Sequence, residues 1–163
     1  MKIRISILIL FIGLFSCQKK EIPKNKFVGT WYDTEYIVPG KSSIKINADS
    51  TFDYRGAGCD WTVFSKGKWK IIGDSIELSS TKIDTCYVIS PFVDCTFFDR
   101  KGKAPLPLLT MQNCEPDQGK SFCLFTKEIF YIKNDSLFYK IKPESKCSDT
   151  LKIMFAKTKK IRR

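Results

Sequence analysis

The sequence predicts an all-β domain built as an antiparallel meander, and three observations carry that prediction. First, from Phe27 onward the apolar residues recur with period two. Ile44 and Ile46 alternate with Lys45 and Asn47, and Leu137, Tyr139 and Ile141 face away from Lys140 and Lys142. Such strands bury one face and wet the other, as antiparallel sheets do and all-parallel sheets do not. Second, Ala48-Asp49-Ser50, Gly73-Asp74-Ser75 and Asn134-Asp135-Ser136 each sit between two alternating segments. Gly, Asn and Asp tolerate the positive φ that tight hairpins need. Third, no stretch beyond the N-terminal apolar run shows the apolar stripe of an amphipathic helix.

The chain opens with basic Lys2 and Arg4, then an apolar run from Ile5 to Phe15 interrupted only by Ser6 and Gly13. This is the layout of a cleaved export signal, too short to span a bilayer as a permanent helix. Leu14-Phe15-Ser16-Cys17 resembles the lipobox of bacterial lipoproteins, whose cysteine receives diacylglycerol and then an amide-linked acyl chain. The resemblance implies that residues 1–16 are a removed signal peptide and that Cys17 is lipidated. Residues 17–26 are then the lipidated cysteine and a polar tether, QKKEIPKNK after Cys17, holding the domain off the membrane. Gln18 after that cysteine resembles outer-membrane sorting, and Lys19-Lys20-Glu21 resembles the charged surface-export signals of Bacteroidota lipoproteins. The expected location is the cell envelope, anchored by lipid to the outer membrane.

The folded domain is expected over residues 27–156. After Ile44 and Ile46 come Phe52 and Tyr54, Trp69 and Ile71, then Ile76 and Leu78, each pair alternating with polar neighbours. Ser65-Lys66-Gly67-Lys68 is read as continuing a strand, and the strand count then puts all three Asp-Ser turns at one end of the sheet. The middle, 81–127, is less regular and carries four prolines, with strand-like fragments at Thr85–Ile89, Cys95–Asp99 and Ser121–Phe125. Arg100–Pro107 reads as an exposed loop. Leu151, Ile153 and Phe155 close the pattern, and 157–163 is a basic tail with five cationic side chains.

Seven cysteines divide as Cys17 plus six. Cys59, Cys86, Cys95, Cys114, Cys123 and Cys147 are an even set in an oxidising compartment, so three disulfides are expected. Facing residues of an antiparallel pair share a constant index sum, and both Cys86/Cys123 and Cys95/Cys114 sum to 209. That favours nested bridges Cys86–Cys123 and Cys95–Cys114, leaving Cys59–Cys147. The alternative uses the two equal spacings locally, as Cys86–Cys95 and Cys114–Cys123. A zinc cluster is not expected, because the chain has no histidine and no Cys-x-x-Cys.

Phe27-Val28-Gly29-Thr30-Trp31 resembles the Gly-x-Trp first strand of lipocalin-like barrels, and Asp49–Phe52 and Gly67–Leu78 resemble hairpins of small lipocalin-like lipoproteins of Bacteroidota. The resemblance covers about residues 27–80. It implies that the meander closes into a lipocalin-like β-barrel, with Gly29 permitting tight backbone and Trp31 plugging one barrel end. It implies binding of a small apolar ligand or an envelope component. A related copper-resistance lipoprotein family relies on a Cys-x-x-Cys that this chain lacks, so no metal role carries over.

Without histidine, Ser-His-Asp and Cys-His chemistry is excluded. Asp33 and Glu35 share a strand face with Trp31 and are the one acidic pair placed to point inward, although both approach the solvated rim. No phosphate or calcium loop appears, no cofactor is expected, and the protein reads as non-enzymatic. Residues 17–163 carry 26 basic against 17 acidic side chains, a net charge of +9, since the first sixteen hold two of the chain's 28 basic residues and no acid. That surplus suits acidic lipid head groups or acidic glycans, or simply a solvated lysine surface. Nucleic acid is not expected, given the export signal and the absence of a binding motif. The other open reading is a disulfide-stapled interaction or enzyme-inhibitor module presenting Lys101–Pro107.

Overall fold

The computed structural model describes residues 25–34, 40–93, 95, 107–145, 147–148 and 150–159. Its strands are β1 (Gly29–Asp33), β2 (Lys41–Ile46), β3 (Thr51–Ala57), β4 (Thr62–Ile72), β5 (Ser75–Ser80), β6 (Val88–Pro91), β7 (Lys120–Leu124), β8 (Glu128–Lys133), β9 (Ser136–Lys140) and β10 (Met154–Ala156). Eight of them pair antiparallel in the order β1-β2-β3-β4-β5-β8-β9-β10, and β10 pairs back onto β1. The fold is therefore all-β, a closed eight-stranded antiparallel barrel as the lipocalin-like reading requires. Closure matters because it leaves none of these eight strands with a free edge to template aggregation.

The period-two pattern sets which residues point in. Ile44, Ile46, Phe52, Ile76 and Leu78 are buried, while Lys45, Asp53, Lys66, Lys68 and Lys70 are exposed on the outer wall. Ser65-Lys66-Gly67-Lys68 lies within the eleven-residue β4 and does not turn. Alternating strand direction round the ring thus brings the three Asp-Ser turns to one end, here the lower end. At the β8–β9 turn Lys133 pairs with Ser136, and Asn134 and Asp135 both take positive φ, 49° and 56°, matching the twist of a two-residue hairpin. At the β2–β3 turn Asp49 Oδ1 accepts from Thr51 Oγ1 at 2.6 Å and Thr51 N at 3.0 Å, and these bonds hold its carboxyl below the usual range.

Two glycines answer different needs. Gly29 has φ +133° with open space where a Cβ would stand, so backbone conformation alone demands glycine there. Gly67 is demanded by packing: a Cβ would collide with the Ser79 carbonyl oxygen and the Phe52 ring as β5 crosses β4. Trp31 lies inside the barrel, 1% exposed, and its Nε1 donates to Phe27 O at 2.7 Å.

The middle segment departs from the meander. β5 pairs with β4 only from Gly67 to Ile72, and β7 takes the vacated edge by pairing parallel with Thr62–Phe64. β6 then pairs parallel with β7. Ser80 seals the joint: its Oγ accepts from Phe125 N at 2.8 Å, and its N donates to Phe125 O at 2.9 Å. The buried Ser65 hydroxyl meets that same Oγ at 2.8 Å.

This geometry corrects the expected disulfides. The bridges are Cys86–Cys114 and Cys95–Cys147, while Cys59 and Cys123 are unbonded. Neither the nested pairs Cys86–Cys123 and Cys95–Cys114 with Cys59–Cys147, nor the local pairs, form. An index sum is constant only between antiparallel strands, whereas β6 and β7 run parallel, which places Ser90 beside Cys123. Cys123 is buried, and burial pushes its thiol well above the ordinary range, with Glu128 adding to the shift. Since the thiolate is the nucleophile, iodoacetamide at neutral pH is expected to label exposed Cys59 at least about 100-fold faster than Cys123. Comparable rates measured by peptide mass would contradict the placement of Cys123 in the core.

Candidate functional site

The barrel's interior is occupied by rings. Phe125, which follows β7, packs against Phe52, Tyr54 and Phe92 at centroid distances of 5.0, 5.3 and 4.5 Å. Phe92 also meets Phe130 and Tyr139 at 5.6 and 5.2 Å. Phe92 and Phe125 both come from the segment between β5 and β8, so that excursion plugs the barrel it interrupts. Fourteen residues, including Trp31, Trp69, Leu137 and Phe155, form one continuous buried cluster.

A recess lies on the outer wall of β1 to β4, a groove of about 670 Å³. Strand register builds it row by row. Tyr32, Ser43, Arg55 and Phe64 are successive cross-strand partners and share the outward face. One pleat above, Lys41, Ala57, Thr62 and Lys120 form a second row. One pleat below, Asp53 pairs with Lys66. The small side chains of Ser43, Ala57 and Thr62 make a floor between taller neighbours, which is why a trough forms on an otherwise convex wall.

Its fourth side is Tyr87, fixed by the segment before β6. Tyr87 stands edge-on to Phe64 at 4.9 Å. The adjacent Cys86–Cys114 bridge holds it, as do hydrogen bonds Tyr87 N to Thr110 Oγ1 at 2.9 Å and Thr110 N to Tyr87 O at 3.0 Å. Lys159, beyond β10, also lines the groove. Lys41, Arg55, Lys66, Lys120 and Lys159 thus surround a recess whose acidic lining residue is Asp53, already engaged by Asn47 Nδ2 at 3.1 Å. Among the described residues, none of these five cations is ion-paired; the pairs there are Lys70–Glu77 and Lys142–Glu128.

A second recess of about 520 Å³ lies on the opposite wall, over β8 and β9. Two of its rings, Tyr131 and Phe138, stack on each other at 5.6 Å and 18°.

The upper end holds a buried carboxylate. Glu128, 6% exposed, accepts from Tyr139 Oη at 2.6 Å, Lys142 Nζ at 2.6 Å and Thr126 N at 3.1 Å. Lys142 Nζ also donates to Thr126 O at 2.6 Å. Every buried side-chain polar atom among the described residues has a partner, so this network is a structural clasp between β8 and β9. Burial, then the bond to Glu128, pushes the Tyr139 phenol well up; burial and the nearby Cys123 do the same to Tyr54. The fold favours both neutral phenols, so their contribution is complete below the ordinary value of 10.0 and is lost as pH rises beyond it. In a spectrophotometric titration two tyrosines are expected to ionise only as the barrel unfolds at alkaline pH. Reversible ionisation of every tyrosine near the ordinary value would contradict this.

Of the residues singled out in the sequence, Cys17, Glu35 and most of the Lys101–Pro107 loop lie outside the described residues. Gly29 and Trp31 sit in β1, away from the groove's lining, and Asp33 is half-buried at the upper end of that strand. The structure does not bring the six cysteines together, and no cluster of three metal-ligating side chains occurs among the described residues. The groove residues were not foreseen as a site. Their signal was the placement of small outward residues, Ser43 and Ala57, between cations, which is legible only once the register is known. Comparison with family models, with curated proteins and with solved structures finds no match for this chain.

Proposed function

We propose that the chain is an exported lipoprotein whose lipocalin-like barrel is a non-enzymatic binding module, holding an envelope component on its outer wall. In this reading residues 1–16 are removed, Cys17 carries the lipid, and residues 18–26 tether the barrel to the outer membrane. The observation that carries it is the contrast between a ring-filled interior and an open, cation-lined groove on β1–β4. The same contrast favours an envelope component over a small apolar ligand inside the barrel, since such a ligand would have to displace Phe92 and Phe125. The two disulfides support an oxidising compartment outside the cytoplasm. They also favour a second reading, because they staple the segment between β5 and β10 as a protein-interaction or enzyme-inhibitor module would require.

The test is production of the full chain in a lipoprotein-exporting bacterium, followed by fractionation and mass analysis. The expected N-terminal peptide begins at Cys17 and carries diacylglycerol and an acyl chain, and Cys17→Ser abolishes membrane retention of a processed form. An intact Met1 terminus or an unmodified Cys17 would overturn the anchor. Native mass spectra of the same preparation are expected to show a component lost on denaturation; a bare mass would contradict the binding role.

A further inference from the structure

We infer that the β1–β4 groove is a binding site for an acidic polysaccharide, an extended sugar chain bearing carboxylate or sulfate groups. This rests on the outer-wall reading above and names its ligand class.

Five cations edge the groove, none ion-paired among the described residues, and the acidic side chain in the lining is already hydrogen-bonded to Asn47. Lys41 and Lys120 stand at opposite ends of one cross-strand row, three strand spacings or about 14 Å apart, with Arg55 one pleat below and between them. That spacing suits charges repeated along a chain better than one compact anion. Arg55 offers a planar fork that matches a carboxylate or a sulfate face with two hydrogen bonds.

Tyr32 and Phe64 are at the two ends of the middle row, and Tyr87 stands over Phe64. The π face of an aromatic ring is electron-rich and attracts the polarised C–H bonds on the flat face of a pyranose. Tyr32 is half-buried, lines the groove and has no aromatic partner among the described residues. The opposite recess is also basic, with Lys133, Lys140 and Lys152, but its rings Tyr131 and Phe138 are stacked on each other. The two walls therefore differ in cation number and in how their rings are arranged.

The floor of Ser43, Ala57 and Thr62 runs across the strands as an open trough, which admits a chain passing through. It offers no closed apolar slot for acyl tails, which sets it apart from a lipid site.

The experiment measures binding of the purified full chain to polygalacturonate, dextran sulfate and neutral dextran at fixed salt, with anionic vesicles and single-stranded DNA as competitors. Wild type is expected to bind one or both acidic polymers and not dextran. The double variant Arg55→Gln/Lys66→Gln weakens that binding about tenfold, while Lys133→Gln/Lys140→Gln on the opposite wall removes the same charge and changes it less than about twofold. Tyr32→Ser weakens it as well, while Tyr32→Phe, which keeps the ring, does not. Equal losses from both charge pairs would reduce the effect to general basicity and overturn the site. Binding of neither acidic polymer, or preference for DNA or vesicles over both, would overturn the ligand class. None of these outcomes touches the Cys17 anchor, which stands or falls on the N-terminal mass.

Discussion

Phe125→Ala lowers the stability of the barrel by about 3–5 kcal/mol, as large-to-small changes at fully packed aromatic positions do. Phe125 is 2% exposed and touches Phe52, Tyr54 and Phe92, with Phe130 further off at 6.5 Å. Those neighbours sit on β3, on β8 and in the excursion, so they cannot collapse together without moving three separate elements. The cavity therefore persists, and its cost adds to the lost burial. Urea denaturation measures the effect, and Leu124→Ala is the control. Leu124 is the adjacent residue but 38% exposed, and its truncation is expected to cost less than about 1 kcal/mol. Similar losses at both positions would mean that Phe125 does not plug the interior.

Glu128→Ala is the second large effect, a loss of about 3 kcal/mol. The carboxylate is buried, and it satisfies Tyr139, Lys142 and the Thr126 amide together. Removing it leaves the Tyr139 hydroxyl without an acceptor in a desolvated site and leaves a cation beside an empty space. Lys142 is 29% exposed in its side chain and can swing to water, which keeps the loss below the upper limit for a fully buried pair. Tyr139→Phe removes one hydrogen bond and is expected to cost about 1–2 kcal/mol. The double variant separates the two contributions. A sum of single losses equal to the double loss would show that the two groups do not interact.

The barrel was legible because period two survives closure. Ile44, Phe52, Trp69, Ile76 and Leu137 point inward whether a sheet is flat or closed, and Gly67 inside an alternating run reads as strand because its neighbours keep the phase. The Asp-Ser turns were legible through their chemistry, as Asn134-Asp135 shows. Strand direction in the middle segment was not. A four-residue fragment such as Val88–Pro91 looks the same running either way, and the cysteine arithmetic presupposed an antiparallel pair. Glu128 could have been found, since it shares the phase of Phe130 and Ile132 and so had to point inward. The groove could not, because its floor and walls come from β1 to β4, β7 and the segment before β6, whose lateral register no single segment specifies.

A barrel that is filled and binds on its outside has no room for an apolar guest. The direct measurement is titration of the purified chain with an uncharged apolar fluorophore such as N-phenyl-1-naphthylamine. No saturable uptake is expected, because rings occupy the interior and the outer groove attracts anions. Saturable one-to-one uptake that quenches Trp31 and Trp69, and that persists in the Arg55→Gln/Lys66→Gln variant, would contradict it.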